Sequence, residues 1–415
     1  MSLQSTPRSN RAHIAIFGRR NVGKSSVINA ISAQDIALVS SELGTTTDPV
    51  YKSMEILPIG PVVLIDTAGI DDDGALGKLR VSKTMSVIPK ADIGLIIIDV
   101  AQKDFSYENT LIEEFKKRKK PYVVIANKDD LEVKREIINE TFDEVYFVSA
   151  LTKQGIHELK EVLGKKLVSS FSEKPILGDI ISPKDVVVLV TPIDSAAPKG
   201  RMILPQQQTI RDILDHDGIV MTCKETELVE TLESLKNAPS LVVTDSQAFG
   251  YVSKVVPRDV PLTSFSILFA RHKGDLDTLI RGVFAIHDLK DGAHILVSEG
   301  CTHHRQKDDI GTVKIPRWLK EHTKKEFDID YTSGYGFQRD LDQIDMIIHC
   351  GACMLNASEM HHRITEARNH NVPIVNYGVL IAYLHDILER TIEPFKDSLL
   401  LYEKLKKETL KSADK

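Results

Sequence analysis

A chain of 415 residues is too long for one ordinary domain, and its 42% hydrophobic content is that of a water-soluble globular protein. The net charge of −6 argues against a large nucleic-acid surface. The longest apolar runs, such as Ile93 to Val100, fall far short of a membrane span, and polar Met1 to Arg11 has no leader-like apolar core. A cytoplasmic protein bound to neither nucleic acid nor membrane is the expectation.

From the N-terminus, short β-rich runs alternate with helical patterns, as in a parallel sheet flanked by helices. Strands are predicted at His13–Phe17, Val62–Ile65, Ile93–Val100, Tyr122–Ala126 and Val145–Val148. Helices are predicted at Lys24–Ala33, Tyr107–Lys119 and Ile156–Ser169. Pro175 and Gly178 interrupt the pattern, so residues 1–172 read as a first domain. A second α/β stretch, residues 180–264, runs through strand Val186–Val190, helix Gln208–Asp215, strand Ile219–Thr222, helix Glu225–Leu235 and strand Leu241–Thr244. It is barely large enough for its own core and should lean on other protein, such as a second copy of itself, so a homodimer is expected. The third stretch, residues 265–415, opens with a predicted strand at Ser264–Phe269. It continues with helix Leu276–Leu289, strands His294–Val297, Met346–His349 and Pro373–Asn376, and helix Val379–Ile392, which stops ahead of Pro394. The lysine-rich tail from Leu401 to Lys415 is expected to fray.

Gly18-Arg19-Arg20-Asn21-Val22-Gly23-Lys24-Ser25 follows a strand and opens a helix, the context that makes G-x-x-x-x-G-K-S a phosphate-binding loop. Gly18 and Gly23 let backbone N–H groups close around phosphates, and the helix start, with Ser25 and Ser26, adds a positive dipole end. Lys24 would reach the β- and γ-phosphates, and the Ser25 hydroxyl would ligate magnesium. In Asp66-Thr67-Ala68-Gly69, Asp66 would hold magnesium through a water and the Gly69 N–H would sense the γ-phosphate. Thr46, in Gly44-Thr45-Thr46-Thr47-Asp48, is the candidate switch threonine for magnesium. Asn127-Lys128-Asp129-Asp130 follows another apolar strand. The Asp130 carboxylate can accept from both N1–H and the 2-amino group of guanine, a donor pair that adenine lacks, so GTP is expected over ATP. Asn127 would tie the base pocket to the P-loop, and Ser149-Ala150 would complete that pocket. Together these boxes predict an α/β protein with an N-terminal P-loop, Ras-like or Era-like GTPase domain, followed by two smaller α/β domains with parallel sheets.

The boxes resemble the bacterial GTPase class that includes the Era and tRNA-modification GTPases. The resemblance rests on Asn21 and on Gly44-Thr45-Thr46. It implies a potassium ion at Asn21 supplying the charge that other GTPases take from an arginine finger. Ile70 cannot orient water as a glutamine does there, so slow intrinsic turnover is expected.

Of the four cysteines, three fall near the C-terminus in a histidine-rich setting. Cys301-Thr302-His303 follows one predicted strand and His349-Cys350-Gly351-Ala352-Cys353 another, with 45 residues between His303 and His349. Loops at the same ends of parallel strands converge, so both halves can meet at one point. Three thiolates suit an iron–sulfur cluster; three cysteines with one histidine equally suit structural zinc. For a cluster, the fourth position would go to a histidine, a carboxylate, water or an incoming ligand, with His303 and His349 as leading candidates. Cys223 stands alone at a strand end and reads as a buried core residue.

With C-x-H and H-C-x-x-C added to the GTPase boxes, the whole chain resembles the FeFe-hydrogenase maturation GTPase family, HydF. Ala197-Pro198-Lys199-Gly200-Arg201, Leu204-Pro205-Gln206 and Asn376-Tyr377-Gly378 carry the resemblance further. It implies GTPase, dimerisation and cluster-binding domains, and a 4Fe–4S cluster. It also implies a scaffold that delivers a two-iron precursor, with the radical-SAM maturases and the apo-hydrogenase as partners. The alternative is a ribosome- or tRNA-associated GTPase with a structural zinc site.

Overall fold

The computed structural model describes residues 7–32, 49–57, 59–67, 81–131, 133, 135–170, 174–193, 202–300, 309–334, 337 and 340–413. The chain divides into two compact units, Met1–Ser172 and Glu173–Lys415.

The first unit is built on β1 (Ala12–Phe17), β2 (Val50–Ile56), β3 (Gly60–Asp66), β4 (Ile93–Asp99), β5 (Tyr122–Asn127) and β6 (Val145–Val148), ordered β2-β3-β1-β4-β5-β6. All neighbours run parallel except β2 against β3. Alternating side chains of each central strand enter two different cores, which is why these strands read as unbroken apolar runs. Ile14, Ile16, Leu95 and Ile97 face one core, with the helices Lys24–Ser32 and Ile156–Ser170. Ala15, Phe17, Ile96 and Ile98 face the other, with Phe115 of the helix Ser106–Lys117. Gly94 is required there: a Cβ would stand 2.1 Å from Phe115 Cζ. The edge strand β2 was not anticipated. It pairs on one side only, and polar Lys52, Ser53 and Glu55 break its apolar pattern.

The second unit holds two wholly parallel four-stranded sheets. The first has order β10-β9-β7-β8, from β7 (Val186–Val190), β8 (Ile219–Cys223), β9 (Leu241–Thr244) and β10 (Leu262–Ser264). The second has order β12-β11-β13-β14, from β11 (Ala293–Glu299), β12 (Phe327–Ser333), β13 (Met346–His349) and β14 (Ile374–Asn376).

The predicted strand Ser264–Phe269 is a helix instead. β10 stops at Ser264, whose Oγ accepts the Ile267 N–H at 3.2 Å and caps the helix Phe265–Lys273. A helix buried on most sides is as continuously apolar as a buried strand, so periodicity cannot separate them. That helix bridges the two sheets. Phe265, Ile267, Leu268 and Phe269 share one core with Val187 and Leu189 on one side and Ile295 and Val297 on the other. The short middle stretch thus leans, within the chain, on the C-terminal one.

The tail also departs from expectation. Lys396–Ala413 is one helix, packed on the helix Leu276–Phe284. Tyr402 is buried with its ring 5.4 Å from Phe284, and Ser398 Oγ donates to Asp277 Oδ1 at 2.6 Å. Burying such an aromatic side chain is worth about 1.5–3 kcal/mol, enough to dock a lysine-rich helix by one face. The predicted helix Val379–Ile392 is two, Tyr377–Leu384 and Leu388–Ile392, parted where Asp386 takes φ 58. The helices Ile315–Thr323 and Ala357–Asn369 and strand β12 were not anticipated. Among the described residues no helix is long and apolar enough to cross a membrane.

Candidate functional sites

The P-loop leaves the end of β1 at Gly18, where φ is +148 and a Cβ would lie 2.4 Å from the Ile97 carbonyl oxygen. Asn21 holds φ 62. Gly23, at φ +89, leaves no room for a Cβ, which would meet Asn127 Nδ2 at 2.3 Å. Lys24 opens the helix that also carries Ser25 and Ser26, and its Nζ donates to the carbonyls of Gly18 and Arg19, each at 2.8 Å. The ammonium thus lies across the loop it would serve.

Asp66 ends β3 in register with Ile16. Among the described residues its buried Oδ1 has no hydrogen-bond partner, and burial raises its pKa against the opposing pull of Lys24 and Lys52. A buried, bare carboxylate oxygen in the field of the P-loop lysine fits a magnesium site. Thr67 Oγ1 is spent on the Ile16 carbonyl at 2.7 Å. Thr46 and Gly69 lie outside the described residues.

Asn127, 2% exposed, joins three segments: its Nδ2 donates to Val22 O at 3.0 Å and its Oδ1 accepts from Ala150 N at 3.1 Å. Asp130 Oδ1 accepts from Ser149 Oγ at 2.5 Å, and Ser149 Oγ accepts from Thr152 N at 3.1 Å. Lys128, at φ 68, pairs with Asp99 at 2.6 Å. Sequence reasoning missed one brace. Arg19 reaches Asp104 at 2.8 Å and fully buried Glu108 at 3.2 Å, and its hydrogen bond holds the Asp104 carboxyl down to about 2. Nothing in the sequence ties Arg19 to residues so distant along the chain.

The cysteine loop is built at the ends of β11 and β13, which pair Ser298 with His349. Cys350 N donates to Ser298 O at 3.0 Å. Cys350 Sγ accepts N–H groups from Gly300 at 3.0 Å and Ala352 at 3.4 Å, the latter in the left-handed region at φ 53. Gly300 therefore brings the chain against Cys350 one residue before Cys301. Burial pushes the Cys350 thiol up to about 11, with the two N–H groups pulling the other way. Cys301 and His303 lie outside the described residues. Among the described residues no group of three or more His, Cys, Asp or Glu side chains converges on a metal position. Two thiols on a strand-end loop, backbone N–H groups aimed at one sulfur, and Cys301 next in the chain are a donor set that fits a thiolate-ligated cluster. Cys223 is half-buried at the end of β8.

His349, a candidate for the fourth cluster position, is hydrogen-bonded through both ring nitrogens. Its Nδ1 bonds the Cys350 carbonyl at 2.8 Å and its Nε2 accepts from Arg363 Nη1 at 2.9 Å. Nδ1 therefore carries the proton, and neither ring nitrogen offers a lone pair to a metal in this arrangement. Burial, then the Arg363 charge, pushes its pKa down to about 3. Lys273 and Arg363, both buried, were not singled out from the sequence.

Residues 13–128 match the family model described as 50S ribosome-binding GTPase. Residues 176–274 match the hydrogen maturase F dimerization domain and residues 277–394 its tetramerization domain, which supports self-association. Among curated relatives, the tRNA modification GTPase MnmE of Aquifex aeolicus is 35% identical over 161 residues, 39% of this chain and 35% of the relative. GTPase Der of Xanthomonas oryzae is 32% identical over 160 residues, 37% of this chain and 34% of the relative. The chain thus spans about a third of the length of these relatives, and the likeness is one of GTPase domains. Solved structures that align include Aquifex aeolicus Era bound to GDP·AlF4⁻, at TM-score 0.33 and 20% identity, covering 51% of this chain and 93% of Era. The G domain of the T. maritima FeoB iron transporter aligns at TM-score 0.29 and 24% identity, covering 39% and 99% of the two chains.

Proposed function

Because the chain belongs to the HydF family of hydrogenase maturation GTPases, we propose that it is a GTP-hydrolysing scaffold that holds a 4Fe–4S cluster and delivers a two-iron precursor to apo FeFe-hydrogenase. The observation that carries the reading is the match to both hydrogen maturase F domain models on the same chain as the P-loop and the C-x-x-C loop. Radical-SAM maturases supply the precursor, a cytoplasmic homodimer formed through residues 180–264 is the working form, and neither nucleic acid nor membrane takes part.

On the nucleotide side, Lys24 leaves the Gly18 and Arg19 carbonyls for the β- and γ-phosphates. The backbone N–H groups from Asn21 to Ser26 close on the phosphates, and Asp130 reads the guanine edge. Ser25, Thr46 and Asp66 would hold magnesium, which supplies charge compensation on the phosphates. Asn21 would hold potassium, and the Gly69 N–H would sense the γ-phosphate. On the cluster side, Cys301, Cys350 and Cys353 would hold three irons, leaving the fourth site to an exchangeable ligand, with His303 as the remaining histidine candidate. An iron with a weak ligand can bind a cargo and release it, which a scaffold requires.

Two assays test this. GTP turnover should require magnesium, exceed ATP turnover and run faster in potassium than in sodium; equal rates in the two salts contradict the potassium role. Cys350→Ala should lose most of the iron taken up anaerobically and all hydrogenase maturation; full iron in that variant rules the site out.

A further inference from the structure

Arg363, in the helix Ala357–Asn369, has no exposed side-chain surface. Taking a guanidinium out of water is costly unless well-placed partners satisfy its N–H groups, and here each nitrogen has one. Its Nε donates to Glu359 Oε1 at 3.0 Å and its Nη1 to Ser298 Oγ at 3.2 Å and His349 Nε2 at 2.9 Å. Its Nη2 donates to Gly334 O at 2.7 Å, and its planar head lies 5.1 Å from the Phe337 ring centre. Only one of these acceptors is charged, so the group does more than balance Glu359.

The other acceptors have a common address. Ser298 stands near the end of β11, Gly334 directly follows β12, and His349 ends β13. One guanidinium therefore ties together the C-terminal ends of three adjacent strands, two of which launch the cysteine loops. A second buried cation also holds the loop. Lys273 Nζ, from the helix Phe265–Lys273, donates to Leu355 O at 3.0 Å and Cys353 O at 3.5 Å.

The contact to His349 fixes more than position. With Nε2 accepting from a permanently charged donor, the proton must sit on Nδ1, where it is donated to the Cys350 carbonyl. The imidazole becomes a strut between Arg363 and the Cys350 backbone. We propose that Arg363 is the positioning residue of the cluster site, holding His349 as a strut for the cysteine loop and out of coordination. This rests on the cluster-binding reading above.

The test compares wild type, His349→Ala, His349→Asn and Arg363→Lys, each reconstituted anaerobically with ferrous iron and sulfide. Iron per chain, the EPR spectrum of the reduced protein and its pulsed-EPR nitrogen couplings are read, with a thermal melt for each variant. Asparagine can reproduce the Nδ1–H donor to Cys350 but is a poor metal ligand. The strut account expects no imidazole coupling in wild type that His349→Ala removes. It also expects altered EPR line shape in His349→Ala and Arg363→Lys, and substantial return toward wild type in His349→Asn. A wild-type imidazole coupling lost in His349→Ala overturns it. So does Arg363→Lys with a lowered melt but unchanged EPR, since that is a structural role alone. If Arg363→Lys does not fold, the two His349 variants decide: equal damage by Ala and Asn counts against the strut. A wild type that takes up no iron instead brings down the underlying reading, and is told apart because the variants then have no wild-type signal to depart from.

Discussion

The P-loop and the cysteine loop occupy equivalent places in two different sheets, one largely and one wholly parallel. β1 lies between β3 and β4, and β11 between β12 and β13, so each loop springs from a strand whose onward connections turn to opposite sides, the usual place for a ligand crevice. They are built in opposite ways. The P-loop makes its cradle from consecutive residues, glycines and one lysine, and is braced from outside by Asn127 and by the Asp104 and Glu108 partners of Arg19. The cysteine loop offers two sulfurs locally and takes its rigidity from buried cations on distant helices, Arg363 and Lys273. Phosphate is recognised by backbone, which a local motif can supply. At the cysteine loop backbone N–H groups reach Cys350 Sγ, while the loop's carbonyls and His349 are held by side chains from elsewhere.

The comparison can be broken most forcefully at Lys24. Lys24→Ala removes the ammonium that lies across the loop and should slow GTP turnover by raising the barrier about 2.7–4 kcal/mol, as loss of a preorganised electrostatic contact does elsewhere. Steady-state turnover that changes less than tenfold contradicts the role. Asp130→Ala comes next. In the proposed base pocket it removes two charge-assisted hydrogen bonds to guanine, each worth about 1.5–3 kcal/mol, so the preference for GTP over ATP in competition binding should collapse. An unchanged ratio would remove Asp130 from the base pocket.

Asn127→Ala sharpens the comparison, because it takes away the buried side chain that ties the P-loop to the Ser149-Ala150 segment. Val22 O and Ala150 N lose their buried partner, which costs about 1–3 kcal/mol in denaturant-measured stability and weakens nucleotide binding with it. A neutral effect on both would show that the cradle stands unaided.

The smallest effect on stability is expected at Asp66. Burial raises its folded pKa above the unfolded value of about 3.9. The group therefore favours the folded state below that unfolded value, and the increment is lost as pH rises through the folded pKa. At neutral pH the ionised carboxylate is a cost to the nucleotide-free protein. Asp66→Asn should raise the magnesium-free melting temperature at pH 7, with a gap to wild type that narrows toward pH 4, while abolishing magnesium-dependent turnover. A lower melting temperature at pH 7 contradicts this.

The same contrast explains what was legible in the sequence. The GTPase groups lie in short boxes at strand ends, so Lys24, Asp66, Asn127 and Asp130 could be named as candidates from the sequence. C-x-x-C was equally visible. Arg363 was not, because Glu359 and Arg363 four residues apart on a helix look like a solvated surface pair, and only the fold puts them beneath β11 and β13. His349 was legible as a histidine beside a cysteine, but its bond to Arg363 was not, so it read as a ligand. Helix Phe265–Lys273 was misread for a related reason: its burial between two sheets erased the polar face that would have marked it as a helix.

The central claim is that one chain joins a GTPase to a thiolate-bound iron–sulfur cluster, and metal analysis of anaerobically purified or reconstituted protein tests it most directly. The account expects a brown protein with about four irons and four sulfides per chain, lost in Cys350→Ala, and no stoichiometric zinc. A colourless protein holding one zinc per chain, with no acid-labile sulfide, would contradict it.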